Sequence, residues 1–362
     1  MVETDLDALI ALAAFEPLAR AVMDPAAFDY VAGGAWDEVS LGENEAAWPR
    51  RRLWPRVLVD VGSVDPSTTL LGRPVAMPVA IAPMAAHGLA HPDAELATAR
   101  AAAAAGVPFT LSTMSTRSIE EVADAIPSGT AWFQLYTQAD PTRTRSLVER
   151  AAAAGYAAIV LTVDLPRLGY RQRDRRSGFD LRGPHGNFAD DGTVPPTHAA
   201  GLHAPGFARL EEQLLTRLTW ADLTVIRSWS TLPLVLKGIM TAEDAVLAVD
   251  HGVDGVVVSN HGARQLDRTS APIDALEAVV DAVAGRAEVW VDGGVRRGLD
   301  VAIALALGAR GVLIGRPIFW ALAAGGQAGV ERALAILREE FEIALALLGA
   351  RTPADLTRGH VS

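Results

Sequence analysis

From Pro78 onward the chain alternates short runs of β-branched and other apolar residues with longer stretches whose apolar positions recur at helical spacing. That is the pattern of parallel strands joined by crossover helices. Eight runs read as strands: Val79–Ala82, Phe109–Ser112, Trp132–Tyr136, Ala158–Asp164, Leu234–Lys237, Gly255–Ser259, Glu288–Asp292 and Gly311–Gly315. Between them, Ala94–Ala105, Thr142–Ala154, Ala242–Val249, Ile273–Val283 and Asp300–Leu307 read as helices, several ending at glycine as helix C-termini do. Eight such units in series predict an α/β fold, a closed TIM (β/α)8 barrel spanning one domain of residues 1–362. Residues 1–77 read as helices and turns punctuated by Pro49, Pro55, Pro66 and Pro74, with a helix at Asp37–Trp48, and are expected to form a helical lid packed on the barrel. The connection at 165–210, rich in Gly, Pro, Arg, His and Asp, has no apolar periodicity and is too long for an ordinary loop, so it is expected to be a flap over the site. A closing helix is expected at about Gly325–Leu348, followed by a short polar tail.

Composition narrows the function. Half of the 362 residues are apolar and 21% are charged, a globular balance. The formal charge of −11 argues against nucleic acid or an anionic membrane as partner, since both reward clustered Lys and Arg. An acidic chain that handles anions has to gather its cations in one place. Without cysteine there is no disulfide, thiolate metal site, iron–sulfur cluster, thiol nucleophile or cysteinyl flavin link. Glu3, Asp5 and Asp7 stand where a secretory signal needs positive charge, and no stretch reaches the apolar length of a membrane span, so a cytoplasmic location is expected.

In such barrels the working face lies at the carboxyl ends of the strands. The polar residues there are Ser112; Gln134 and Tyr136, which share a face; Thr162 and Asp164, which share another; Lys237; Ser259; Asp292; and Gly315–Arg316. Asp292–Gly293–Gly294–Val295–Arg296 and Gly315–Arg316–Pro317 follow strands seven and eight, where these barrels hold phosphate on glycine amides and helix N-termini. A phosphate-bearing cofactor is indicated. No GxGxxG opens a βαβ unit, which argues against a dinucleotide in a Rossmann crevice. Lys237 would place a positive charge beside the cofactor ring; its rival reading is a Schiff-base lysine.

The run Ser259–Asn260–His261–Gly262–Ala263–Arg264–Gln265 follows directly on a strand. A lone histidine there is ordinarily structural. With Arg264 three residues on, an imidazole that takes a proton near neutral pH stands beside a guanidinium that holds a carboxylate in two parallel bonds. Oxidation of a 2-hydroxy acid needs that pair. The other histidines, His87, His91, His185, His198, His203, His251 and His360, lack such a setting and read as surface or loop residues. Trp132, Trp220, Trp229 and Trp290 read as packing.

From about Asp29 to Ser362 the chain resembles the FMN-dependent 2-hydroxy acid oxidase family, which includes glycolate, lactate and mandelate oxidase-like members. The resemblance rests on Asp29–Ala35 (DYVAGGA), Gln134–Leu135–Tyr136, Pro166–Arg171 (PRLGYR), Ser259–Gln265 and the phosphate loops. It implies FMN bound by Pro83, Met84, Ala85, Ser112, Gln134, Thr162, Lys237, Ser259, Asp292, Gly293, Gly294, Val295, Arg296, Gly315 and Arg316. It implies substrate held by Tyr30, Tyr136, Arg171 and Arg264, His261 as base, Asp164 stabilising the imidazolium, and no metal. Removal of the Cα proton to leave a carbanion, and removal of the hydroxyl proton while hydride passes to the flavin, both use these residues.

The implied reaction is oxidation of an (S)-2-hydroxy acid to a 2-oxo acid with electrons passed to oxygen, giving hydrogen peroxide. Alternatives are a quinone- or cytochrome-linked dehydrogenase, a lactate monooxygenase-type decarboxylation, a non-redox FMN barrel such as type 2 isopentenyl diphosphate isomerase, and a non-catalytic flavin-binding module. A homo-oligomer, tetramer or octamer, is also implied. Departures from the family pattern are Val31 where Tyr is frequent, Tyr170 where Arg is frequent, and Met114 where an aromatic is common. Met114 stands where the substrate side chain is expected, and a flexible apolar residue there points to a substrate larger than glycolate. Ala85 is the residue more frequent in oxygen-using members.

Overall fold

The computed structural model describes residues 5–179, 181, 186–191 and 217–362. Eight strands close into a parallel barrel in sequence order: β3 (Val79–Met84), β4 (Phe109–Ser112), β5 (Ala131–Leu135), β6 (Ala158–Thr162), β7 (Leu234–Ile239), β8 (Gly255–Val258), β9 (Glu288–Val291) and β10 (Gly311–Ile314), which pairs back to β3. Each expected strand is present with its ends moved by two residues at most; Tyr136, Asp164, Ser259, Asp292 and Gly315 lie just past the strands that present them.

Side chains alternate along each strand, and the two faces meet different surroundings. Ile81, Leu111, Phe133, Leu161, Leu236, Val258, Val291 and Ile314 face outward into the main core beneath the helices. Ala80, Trp132, Val160, Val235, Val257, Trp290 and Leu313 face inward and form a second, separate cluster that fills the barrel. Two residues further along those inward faces stand Gln134, Thr162, Lys237, Ser259, Asp292 and Gly315, so the interior turns from apolar to polar at the carboxyl end.

The opposite end is sealed by a hairpin of β1 (Thr68–Leu70) and β2 (Arg73–Val75), whose Leu70 and Val75 join the interior cluster. It corrects the reading of residues 1–77 as helices and turns alone: the strands are too short, and one carries Pro74, for a periodicity to show. Before it come α1 (Phe15–Val22), α2 (Pro25–Ala32), begun by Asp24 accepting from the amides of Ala26 and Ala27, and α3 (Val39–Ala46). They pack on the barrel and on the last long helix, Phe28 stacking on Trp320 with ring centroids 4.7 Å apart.

That last helix spans Arg316–Leu348 and is broken at Gly325–Gly326, where Gly326 adopts φ 58°; the expected helix from Gly325 is its second half. The tail is not free: Ser362 and Arg52 exchange backbone hydrogen bonds of 2.8 and 2.9 Å, and the Trp54 amide donates to His360 O. Two histidines read as surface or loop residues are buried. His87 is fully enclosed, Nδ1 bonded to Thr98 Oγ1 at 2.9 Å and its ring edge-on to Phe109 and Phe319, while His360 is tucked against Thr357. Of the expected flap, Gln172–Ser177 forms a helix and Gly186–Asp191 a 3-10 turn, while residues 180, 182–185 and 192–216, His185, His198 and His203 among them, lie outside the described residues.

Inside the barrel Gly255 lies against the Trp290 indole, where an added Cβ would stand 2.1 Å from Cζ3. Gly255→Ala is expected to overpack the interior at about 1–3 kcal/mol. Replacing Trp290 by Phe in the same chain should recover most of that, read by denaturant midpoints; a double variant no better than the single would refute this packing.

Candidate active site

The polar rim closes around a solvent-open cavity of about 1200 Å3. It is lined by Tyr30, Pro83, Met84, Ala85, Ser112, Met114, Tyr136, Thr162, Arg171, Lys237, His261, Arg264, Asp292–Arg296, Gly315 and Arg316. Every residue implied for cofactor, substrate or proton transfer is therefore on the wall or, for Gln134, Asp164 and Ser259, bonded to one that is. Gln134 accepts from Ser112 Oγ at 3.2 Å and donates to Thr162 Oγ1 at 3.0 Å.

His261 sits in a 3-10 turn in the left-handed region, φ 59°, its amide donating to Ser259 Oγ at 3.1 Å. Its Nδ1 meets Asp164 Oδ1 at 2.7 Å and its Nε2 meets Tyr136 Oη at 3.3 Å. The carboxylate fixes the tautomer, leaving Nε2 as the free base toward the cavity. Gly238, at φ 114°, leaves Asp164 room: a Cβ there would lie 2.6 Å from its side chain. Burial lowers the His261 pKa from its ordinary 6.5 and outweighs Asp164, which raises it, so the imidazole is neutral at pH 7. Burial would raise the Asp164 pKa, but the charge and hydrogen bond of His261, with the Lys237 charge, bring it below the usual value. Burial, then the Asp164 charge, raises the Tyr136 phenol, which stays protonated as a donor.

Four guanidiniums ring the cavity in this acidic chain. Arg171 is buried, donates from Nε to Arg264 O at 3.2 Å, and has its pKa lowered to about 10 by burial and by the Arg264 charge. Arg264 lies over the Tyr30 ring at 4.7 Å and donates to Tyr30 O at 2.6 Å and Gly33 O at 2.9 Å. Arg316 donates to Val31 O, Gly33 O and Gly262 O; burial lowers its pKa to about 9. Arg296 is paired with Glu45 at 2.5 Å. Asp174, unnoticed in the sequence, is buried nearby; burial raises its pKa while Arg264 and Arg171 oppose.

Lys237 Nζ meets Asp292 Oδ2 and Ser259 Oγ, both at 2.8 Å. Burial opposes its charge, but the Asp292 and Asp164 carboxylates win and its pKa is raised. It is also the chain's sole lysine, every other fixed cation being arginine, a compositional signal of its role that the motif reading passed over.

The donor set fits a phosphorylated, polyol-bearing aromatic cofactor. Gly293 and Gly294 both adopt φ 83°, and a Cβ on Gly294 would stand 1.8 Å from Asn44 O. Among the described residues, the amides of Gly294 and Val295 have no acceptor within the chain, which suits them to an anion. Asp292 Oδ1 is buried without a donor, a place a hydroxyl would satisfy. Among the described residues no cluster of three or more His, Cys, Asp or Glu could hold a metal ion, and no helix is long and apolar enough to cross a membrane.

Fold and site together define a flavin-binding (β/α)8 barrel. Residues 19–362 match the family described as FMN-dependent dehydrogenase; the chain belongs to that family, and its cofactor is FMN. It is 49% identical over 360 residues to L-lactate oxidase of Nostoc, covering 98% of each chain. It is 47% identical over 353 residues to glycolate oxidase 3 of Arabidopsis thaliana, covering 96% of this chain and 94% of that one. A crystal structure of mandelate oxidase with (S)-4-hydroxymandelic acid superposes with TM-score 0.93 at 43% identity, covering 98% of both chains.

Two outcomes follow from the site's electrostatics. Protonating His261 removes the base, so the acid limb of kcat/KM should lie below the ordinary 6.5. Asp164→Asn withdraws the influence that raises the His261 pKa, so the limb should move to still lower pH while the plateau falls by about 100-fold or more; a limb moving upward would contradict the assignment. Lys237→Arg keeps the charge but not the compact geometry, and should purify with little bound FMN, measured by absorbance per protein; full occupancy would show that the ammonium is dispensable.

Proposed function

We propose that the chain oxidises an (S)-2-hydroxy acid to the 2-oxo acid and passes the two electrons through FMN to oxygen, forming hydrogen peroxide. One observation carries the reading: an imidazole aligned by a carboxylate shares a cavity with two guanidiniums and with the Gly293–Val295 loop, whose Gly294 and Val295 amides have no acceptor among the described residues. Arg171 and Arg264 would hold the substrate carboxylate, while Tyr30 and Tyr136 present hydroxyls to its other oxygens. His261 Nε2 would take the proton released as the substrate loses two electrons, and Asp164 would stabilise the resulting imidazolium. Fixing the carboxylate at two points orients the reacting carbon, worth several kcal/mol when the geometry is productive.

FMN, when bound, supplies the two-electron acceptor. Ser112, Thr162, Lys237, Asp292–Arg296 and Gly315–Arg316 would hold it, with Pro83, Met84 and Ala85 against it and Gln134 and Ser259 positioning the polar contacts. Val31, Met114, Leu165 and Leu168 make the remaining wall apolar, which favours a substrate side chain longer than that of glycolate. In this reading residues 1–77 act as a lid and 165–210 as a flap over one barrel unit. Trp54, Val57, Leu58 and Val59, all exposed along one stretch, support assembly of several copies into a tetramer or octamer.

The test is anaerobic addition of lactate, glycolate, mandelate and longer 2-hydroxy acids to the yellow protein. Bleaching of the flavin by at least one of them is expected, and failure with all refutes the reading. Admitting air should restore the colour with one peroxide per turnover. Slow reoxidation with fast dye reduction would mark a dehydrogenase, and carbon dioxide in place of peroxide a decarboxylating monooxygenase. His261→Ala should keep FMN yet slow bleaching by about 100- to 10,000-fold; unchanged bleaching would place the base elsewhere.

A further inference from the structure

Gln265 closes the seven-residue motif but has no part in the chemistry above. The residue is 8% exposed, and all the polar capacity of its side chain is directed at the stretch that follows β6. Nε2 donates to Asp164 O at 3.1 Å and to Arg167 O at 2.6 Å. Oε1 accepts from the Gly169 amide at 3.2 Å and from Arg171 Nη2 at 3.3 Å. A carboxamide has two donor hydrogens and two acceptor positions, so these four bonds saturate it. Two carbonyls on one side and two N–H groups on the other fix which way the amide points.

The stretch so held begins at the residue that aligns His261 and ends at a guanidinium of the substrate cavity. Its backbone runs against that of the motif: a Cβ on Gly169 would lie 2.3 Å from Arg264 O and 2.6 Å from Gln265 O. Arg171 Nε is itself bonded to Arg264 O. Two guanidiniums from distant parts of the sequence, which repel each other, are thereby kept in one cavity.

We infer that Gln265 is a positioning residue: it docks the 164–171 stretch onto the motif and sets the Arg171 guanidinium for carboxylate binding. The inference rests on the functional reading above and deepens it. Gln265→Met keeps length and volume but makes none of the four bonds. Gln265→Glu keeps the acceptors, loses the donors to Asp164 O and Arg167 O, and offers Arg171 a carboxylate that competes with the substrate's.

Both variants should purify with FMN bound. The dissociation constant for pyruvate, read from flavin absorbance in the oxidised holoenzyme, should rise by about ten-fold, with KM following and kcat falling less. In an Arg171→Leu background the same replacements should change it by less than about two-fold, because the residue acts through that guanidinium. An unchanged dissociation constant, or the same factor in both backgrounds, overturns the inference. Hydrogen exchange at the Gly169 and Arg171 amides should quicken in Gln265→Met, and, if that variant does not fold, in Gln265→Ala, which likewise makes none of the four bonds. Unchanged exchange sinks the docking role whatever the substrate proves to be. A wild-type flavin that no 2-hydroxy acid bleaches sinks the functional reading instead.

Discussion

Charge taken out of water has to be held by something, and the mouth of this barrel holds several charges at once. Lys237 is balanced by Asp292, and Asp164 accepts a hydrogen bond from His261 Nδ1. Arg264 and Arg316 are met by carbonyls of Tyr30, Val31, Gly33 and Gly262. Three of those carbonyls belong to the end of α2 and the residue beyond it, where a helix C-terminus favours cations. The amino-terminal segment thus contributes contacts to the site as well as packing over it. Asn44 and Asn260 exchange two amide hydrogen bonds, and Trp48 donates to Gly293 O, so the same segment also holds both the Ser259–Gln265 loop and the Gly293–Arg296 loop.

Much of this was legible in the chain itself, for a definite physical reason. Five of the eight strands turn from apolar to polar on their inward faces, so that Trp132 gives way to Gln134, Val235 to Lys237 and Trp290 to Asp292. A period of two and the rule that barrel chemistry sits at the carboxyl ends suffice to find those residues. The hairpin that seals the other end, the packed tail and the burial of His87 carry no such signature, because each depends on contacts with residues far away in sequence. Gln265 and Asp174 were missed for the same reason: their importance lies in which backbone and which guanidiniums they meet.

The charge distribution ties structure to function. A chain of net charge −11 still presents four guanidiniums and its one lysine to a single cavity. Such an arrangement is costly unless anions fill it, and a substrate carboxylate and a cofactor phosphate are the two anions the reading requires. Arg171, Arg264 and the Gly293–Arg296 loop all line that one cavity. In this reading selection between lactate-like and larger substrates would fall to the apolar wall of Val31, Met114, Leu165 and Leu168.

The most direct measurement is a crystal structure of the FMN-loaded protein with pyruvate. The account predicts the pyruvate carboxylate bonded to both Arg171 and Arg264, with its 2-oxo oxygen within hydrogen-bonding reach of Tyr136 Oη and His261 Nε2. A carboxylate bound at Arg296 and Arg316, or one that leaves either Arg171 or Arg264 without contact, would contradict it.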